Sequence, residues 1–106
     1  MNTNNIFKPM NKKELQTAVN EWYTNKKTAK QKYDIISKWD TSLIKDISYM
    51  FKNAKSFNRD LSHWRFYNNH GSFIVLETKD MFLDSGLELI NIPMWYKNIH
   101  NQSNYI

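Results

Sequence analysis

The sequence predicts a short solenoid of about two and a half degenerate repeats, packed behind an N-terminal helical cap. Three observations predict it. Trp recurs at positions 39, 64 and 95, each with an aliphatic residue three positions earlier: Ile36, Leu61 and Ile92. Met50-Phe51 and Met81-Phe82 fall between successive Trp, and Phe51 to Trp64 and Phe82 to Trp95 are both separations of 13 residues. A helix-capping signature and an apolar stripe at helical spacing precede the first Trp.

The cap comes first in the chain. Asn11 followed by Glu14 has the spacing of a capping box, and Leu15, Val19 and Trp22 follow at i, i+4 and i+7 with Ala18 between them. Thr24 or Asn25 ends this helix and starts a second at Lys26–Tyr33, with Ala29 and Tyr33 inward and Lys26, Lys27, Lys30 and Lys32 mostly outward. The 106 residues form one domain: a flexible start at 1–10, the cap at 11–34, the repeats at 35–95 and a tail at 96–106.

In the repeats, Trp39 to Met50 is 11 residues but Trp64 to Met81 is 17. The six extra residues fall at 67–72, where Asn68, Asn69 and Gly71 signal a loop. A unit of about 25 residues cannot bury its own apolar face, so it stacks on its neighbours and equivalent side chains line up. Trp39, Trp64 and Trp95 form one expected ladder. Ile36, Leu61 and Ile92 form another, and Met50 and Met81 with Phe51 and Phe82 a third. Burying each Trp removes ~150–250 Å² from water. An exposed platform on which bases stack is the rival reading of these aromatics, and recurrence at one repeat position favours core.

The tail of eleven residues after Trp95 is too short and too rich in Asn to form a helix unaided. The last coil is therefore expected to present an apolar edge, with Leu87, Leu89, Ile90, Ile99 and Tyr105 as the candidate interaction surface. A protein partner or self-association through this C-terminal end is the expected use.

Composition narrows the chemistry. A hydrophobic content of 41% argues for a folded domain. With no Cys, disulfides, thiolate nucleophiles and Cys-ligated metals are excluded. His63, His70 and His100 lack the spacing of a metal site, and Glu77, Asp80 and Asp84 beside Lys79 read as a solvated turn. The two glycines, Gly71 and Gly86, make no phosphate-binding loop, and no nucleophile elbow is present. The expectation is a non-enzymatic protein with no cofactor and no metal.

The opening MNTNNIFKPM carries one Lys and leads into no apolar run, so no signal peptide is expected. The longest apolar stretch is the four residues at 73–76, far short of the ~20 that span a membrane, so no membrane insertion is expected and the protein reads as soluble. Residues 1–65 carry a net charge of +7 and residues 66–106 a net charge of −2. A basic front half fits nucleic acid as an alternative partner. The reading adopted is that Lys solvates the outer helix faces.

The segment ISKWDTSLIKDISYMFKNAKSFNRDLSHW at 36–64 resembles the mycoplasma-type lipoprotein repeat, also met in BspA-like surface proteins. That repeat reads approximately FNQDISNWDVSNVTNMSGMFYGA. The match includes Trp39, Asp40, Ser42, Met50-Phe51, Ala54, Phe57-Asn58, Asp60-Leu61-Ser62 and Trp64. The lead-in at 14–33 resembles the helical entry of protist and large-virus members. The resemblance implies an α+β class, leucine-rich-repeat-like, with a short strand and a helical turn per coil. It also implies adhesion or protein–protein contact, with no catalytic motif to carry over. With no signal peptide seen, an intracellular or virion location is expected. Two departures stand out. Asp34 occupies a position where such members often carry Gly. Arg65-Phe66 and Tyr96-Lys97 follow the later Trp, so the Asp40-Thr41-Ser42 turn is expected once only.

Overall fold

The computed structural model describes residues 6–66 and 77–101, so the expected loop at 67–72, His70 and Tyr105 lie outside the described residues. Helix α1 spans Lys12–Thr24 and buries Leu15, Ala18, Val19 and Trp22. Asn11 caps it by accepting the Glu14 N–H at 2.9 Å. Glu14 reaches back one residue further than a capping box requires, accepting the Met10 N–H at 2.9 Å. Asn25 serves both helices: its own N–H closes α1 on the Glu21 carbonyl, and its side chain caps α2 (Lys26–Tyr33) by accepting from Thr28. A short 3₁₀ turn at Ile36–Lys38 follows, a second lies at Leu89–Asn91, and α3 runs over Met94–Asn101.

The expected α+β class is overturned. The chain is helical, and among the described residues there is no sheet, only one isolated parallel bridge between Asp46 and Glu77. A leucine-rich-repeat-like solenoid with a strand in each coil is therefore not what the chain adopts. The hydrogen bonds give the reason. Between 47 and 53 every second N–H donates to the later pass of chain: Ile47 to Glu77, Tyr49 to Lys79, Phe51 to Met81 and Asn53 to Leu83, each at 2.8 Å. The intervening N–H groups turn back three residues within their own pass, Met50 to Ile47, Lys52 to Tyr49 and Ala54 to Phe51. The later pass does the same, Met81 bonding Thr78 and Leu83 bonding Asp80. Each pass is thus a string of tight turns. Tyr49, Asn53, Asp80 and Asp84 carry positive φ of 51–65°, which no strand accommodates.

Residues 94–101 form a helix where an irregular tail was expected to begin at 96. Helix α3 is not unaided. Trp95 is buried, and Tyr96 and Ile99 pack against the core. His100 bonds the Thr78 hydroxyl at 3.1 Å and stacks on Tyr96. Tertiary burial supplies what propensity lacks.

At Gly86 the two passes approach closely. Its N–H donates to the Ala54 carbonyl at 2.9 Å, and a Cβ there would stand 2.1 Å from the Lys55 carbonyl oxygen. Only Gly fits.

Candidate interaction surface

The positions of the candidate surface follow from how the aromatic core fixes register. The Trp64 indole N–H donates to the Ile36 carbonyl at 2.8 Å, and the Trp95 indole N–H donates to the Leu61 carbonyl at 3.0 Å. Each acceptor lies three residues before the preceding Trp. Trp39 opens the series by donating to the carbonyls of Tyr33 and Asp34 at the end of α2. The rings of Trp39 and Trp64 stack at 6.3 Å and 17°, and those of Phe51 and Phe82 at 5.6 Å and 18°. Trp95 meets Phe66 edge-on at 5.0 Å. Of the ladder residues, Trp39, Trp64, Trp95, Ile36, Leu61, Met50, Phe51 and Met81 are buried, whereas Phe82 and Ile92 are half-buried.

These hooks align 58–63 with 89–94, a shift of 31 residues that also superposes Met50 on Met81. In the middle unit Asn58, Arg59 and His63 are polar, and the last two of them are exposed. The equivalent positions of the last unit carry Leu89, Ile90 and Met94, with 80%, 88% and 63% of their surface exposed. One face of the stack therefore changes from polar to apolar at its C-terminal edge. These three apolar side chains stand in water rather than in the core.

Leu89 and Ile90 stand in solvent as the sequence leads one to expect. Leu87 and Ile99 do not: both are half-buried and pack against the core. Tyr105 lies outside the described residues. Met94 was not anticipated. Its signal is the alignment with His63, visible once the repeat is extended past the Trp.

The flanks of the stack are fixed by carboxylates. Asp40, Asp46 and Asp60 each accept the backbone N–H two residues on, from Ser42, Ser48 and Ser62, at 2.8–2.9 Å. The same kind of turn also forms at Asp46 and Asp60, away from the position after the Trp, because it needs just an Asp and a free N–H at i+2. These bonds hold all three carboxyl groups below the usual carboxylate range. Burial opposes the effect and is the largest influence at Asp40, the Ser48 hydroxyl leads at Asp46, and the Ser62 N–H leads at Asp60. Lys12 adds a bond to Asp46 at 3.3 Å and to the Ser48 hydroxyl at 2.8 Å. On the cap, Glu21 accepts from Lys32 at 2.8 Å and from the Tyr33 hydroxyl, tying α1 to α2.

Among the described residues no group of three or more His, Cys, Asp or Glu is placed to hold a metal ion, and no helix is long and apolar enough to cross a membrane.

Stack and edge together describe a small, mainly helical repeat domain with exposed apolar side chains in its last unit. The chain belongs to the family described as Mycoplasma protein of unknown function, DUF285, whose model matches residues 1–101. No curated protein and no solved structure matches it.

Proposed function

We propose that the protein is a non-catalytic interaction module whose contact is the apolar edge formed by Leu89, Ile90 and Met94. The observation that carries this reading is the register. At positions where the middle unit is polar, the last unit is apolar and lies in water. Folding alone gains nothing from an 88% exposed Ile, whereas burying it against a partner contributes at ~25 cal/mol per Å². A second copy of the chain, or another protein within a larger assembly such as a virion or a cell surface, is the occupant. The adhesive role implied by the resemblance to surface-protein repeats agrees with this.

Sedimentation of the wild type and of Ile90→Lys, together with affinity purification of both from the native source, tests the reading. Concentration-dependent association or a captured protein, lost in Ile90→Lys, is expected. A strictly monomeric wild type whose captured proteins are unchanged by Ile90→Lys contradicts it.

A further inference from the structure

The repeat stack has two halves, and only one of them is closed at the C-terminal end. In the first half, α1 lies on the pass at 45–54 through Gln16, whose amide donates to the Met50 carbonyl at 3.1 Å. That pass bonds the one at 77–84. Helix α3 closes the row, with Tyr96 against Phe82 at 5.0 Å and His100 on the Thr78 hydroxyl at 3.1 Å. In the second half the Trp hooks all run in one direction. The carbonyls ending α2 accept from Trp39, the Ile36 carbonyl from Trp64 and the Leu61 carbonyl from Trp95. The next acceptor in the series is the Ile92 carbonyl, and no N–H among the described residues donates to it. It lacks even the backbone N–H of its own unit's Trp, which Ile36 and Leu61 accept at 3.3 and 3.0 Å. Ile36 and Leu61 are 2% and 0% exposed, whereas Ile92 is half-buried and Leu89, Ile90 and Met94 stand in water.

We propose that this open half receives a Trp-bearing repeat unit of another protein, stacked in the register already used twice within the chain. The inference rests on the reading of Leu89, Ile90 and Met94 as a contact edge and adds what its occupant carries. The partner's Trp indole N–H meets the Ile92 carbonyl. An aliphatic residue three positions before that Trp extends the row of Ile36, Leu61 and Ile92. The existing interface sets two more positions. Asn58 accepts the Glu88 N–H and the Asn91 side-chain amide, each at 2.9 Å, and donates to the Glu88 carboxylate. Glu88 and Asn91 lie seven and four residues before Trp95. The last unit has Leu89 where the middle unit has Asn58, and Leu offers no such bonds. The partner therefore needs apolar side chains seven and four residues before its Trp, since a polar one set against Leu89 loses water without gaining a bond. A second copy of the chain does not qualify. Its three repeat Trp already donate within their own fold. None of them has apolar residues at both positions: Lys32 and Ile35, Phe57 and Asp60, Glu88 and Asn91.

The test uses the full chain, ¹³C-labelled at its Ile and Met methyl groups. The probe is a blocked peptide of Ser and Lys that carries Leu seven, Leu four and Ile three residues before its one Trp. One control peptide replaces the two Leu by Glu and Asn. A second keeps them but carries a Trp methylated on its indole nitrogen, which retains the ring and has no N–H. The Ile90 methyl peak, assigned by its loss in Ile90→Lys, is expected to move saturably with the first peptide, together with that of Met94. Methylation of the indole should weaken binding by about tenfold. Leu89→Asn, at a position 80% exposed, should reverse the preference between the Leu and the Glu/Asn peptides. The proposal is overturned by stationary methyl peaks, by equal affinity for the methylated peptide, or by a Leu89→Asn variant that keeps the wild-type preference. In each of those cases, association or capture that is lost in Ile90→Lys still decides the contact reading, so the two fail separately.

Discussion

Asp34 ends α2 with φ 62° and ψ −172°, a region that glycine alone occupies freely. Two bonds hold it there: its N–H donates to the Lys30 carbonyl at 2.9 Å, and its carboxylate accepts the Ile35 N–H at 2.7 Å. The conformation is imposed from outside, because the Tyr33 and Asp34 carbonyls must both face the Trp39 indole. Asp34→Gly removes the Cβ conflict and keeps the backbone bonds. It is expected to stabilise the protein by about 1 kcal/mol, read as a higher melting temperature. A lower melting temperature would mean that the Ile35 bond outweighs the strain. The sequence shows Asp where Gly is usual, so this position was legible. Gly86 was not: its need for Gly comes from the Lys55 carbonyl thirty-one residues away, and nothing local records that approach.

At the scale of elements, α1 and α2 were legible because local chemistry specifies them: Asn caps at 11 and 25 and one apolar stripe. The resemblance implied a short strand in each coil, and the passes at 45–54 and 77–84 carry none. Their buried residues come as neighbours, Ile47 beside Ser48 and Met50 beside Phe51, which tight turns permit and an extended strand does not. The Asp turns set a pH dependence. Asp40, Asp46 and Asp60 have folded-state pKa values below those of the unfolded chain. Their stabilisation is therefore complete above about pH 4 and is lost as pH falls through the lowered values. Melting temperature should fall on acidification below about pH 4. Asp46→Asn keeps a turn-forming acceptor but gives up the titrating charge held by Ser48 and Lys12. It should be less stable near neutrality and show a shallower acid loss. An unchanged acid slope would remove Asp46 from the account.

Across the whole molecule, the repeat read from three Trp reappears as a chain of contacts. The periodicity was visible because each Trp indole N–H answers to a backbone carbonyl earlier in the chain, that of Ile36 for Trp64 and of Leu61 for Trp95, with those of Tyr33 and Asp34 for Trp39. Ring on ring, only Trp39 and Trp64 form the expected ladder, and Trp95 packs on Phe66 instead. The apolar edge was visible in part. Composition singles out Leu89 and Ile90, whereas Leu87 and Ile99 have the same character and are drawn inward by the α3 packing, which composition does not record.

Register is the claim on which the apolar edge depends, and the indole protons report it directly. Hydrogen exchange of the four Trp indole N–H groups, followed by ¹H–¹⁵N spectra of the native chain, tests whether successive units hook together. Trp64 and Trp95 donate to the carbonyls of Ile36 and Leu61, and their rings are 0% and 7% exposed. Both protons are expected to be strongly protected, exchanging only through opening of the stack. Exchange of the Trp64 or Trp95 indole proton at the rate of free tryptophan, in a chain that is otherwise folded, would contradict the account.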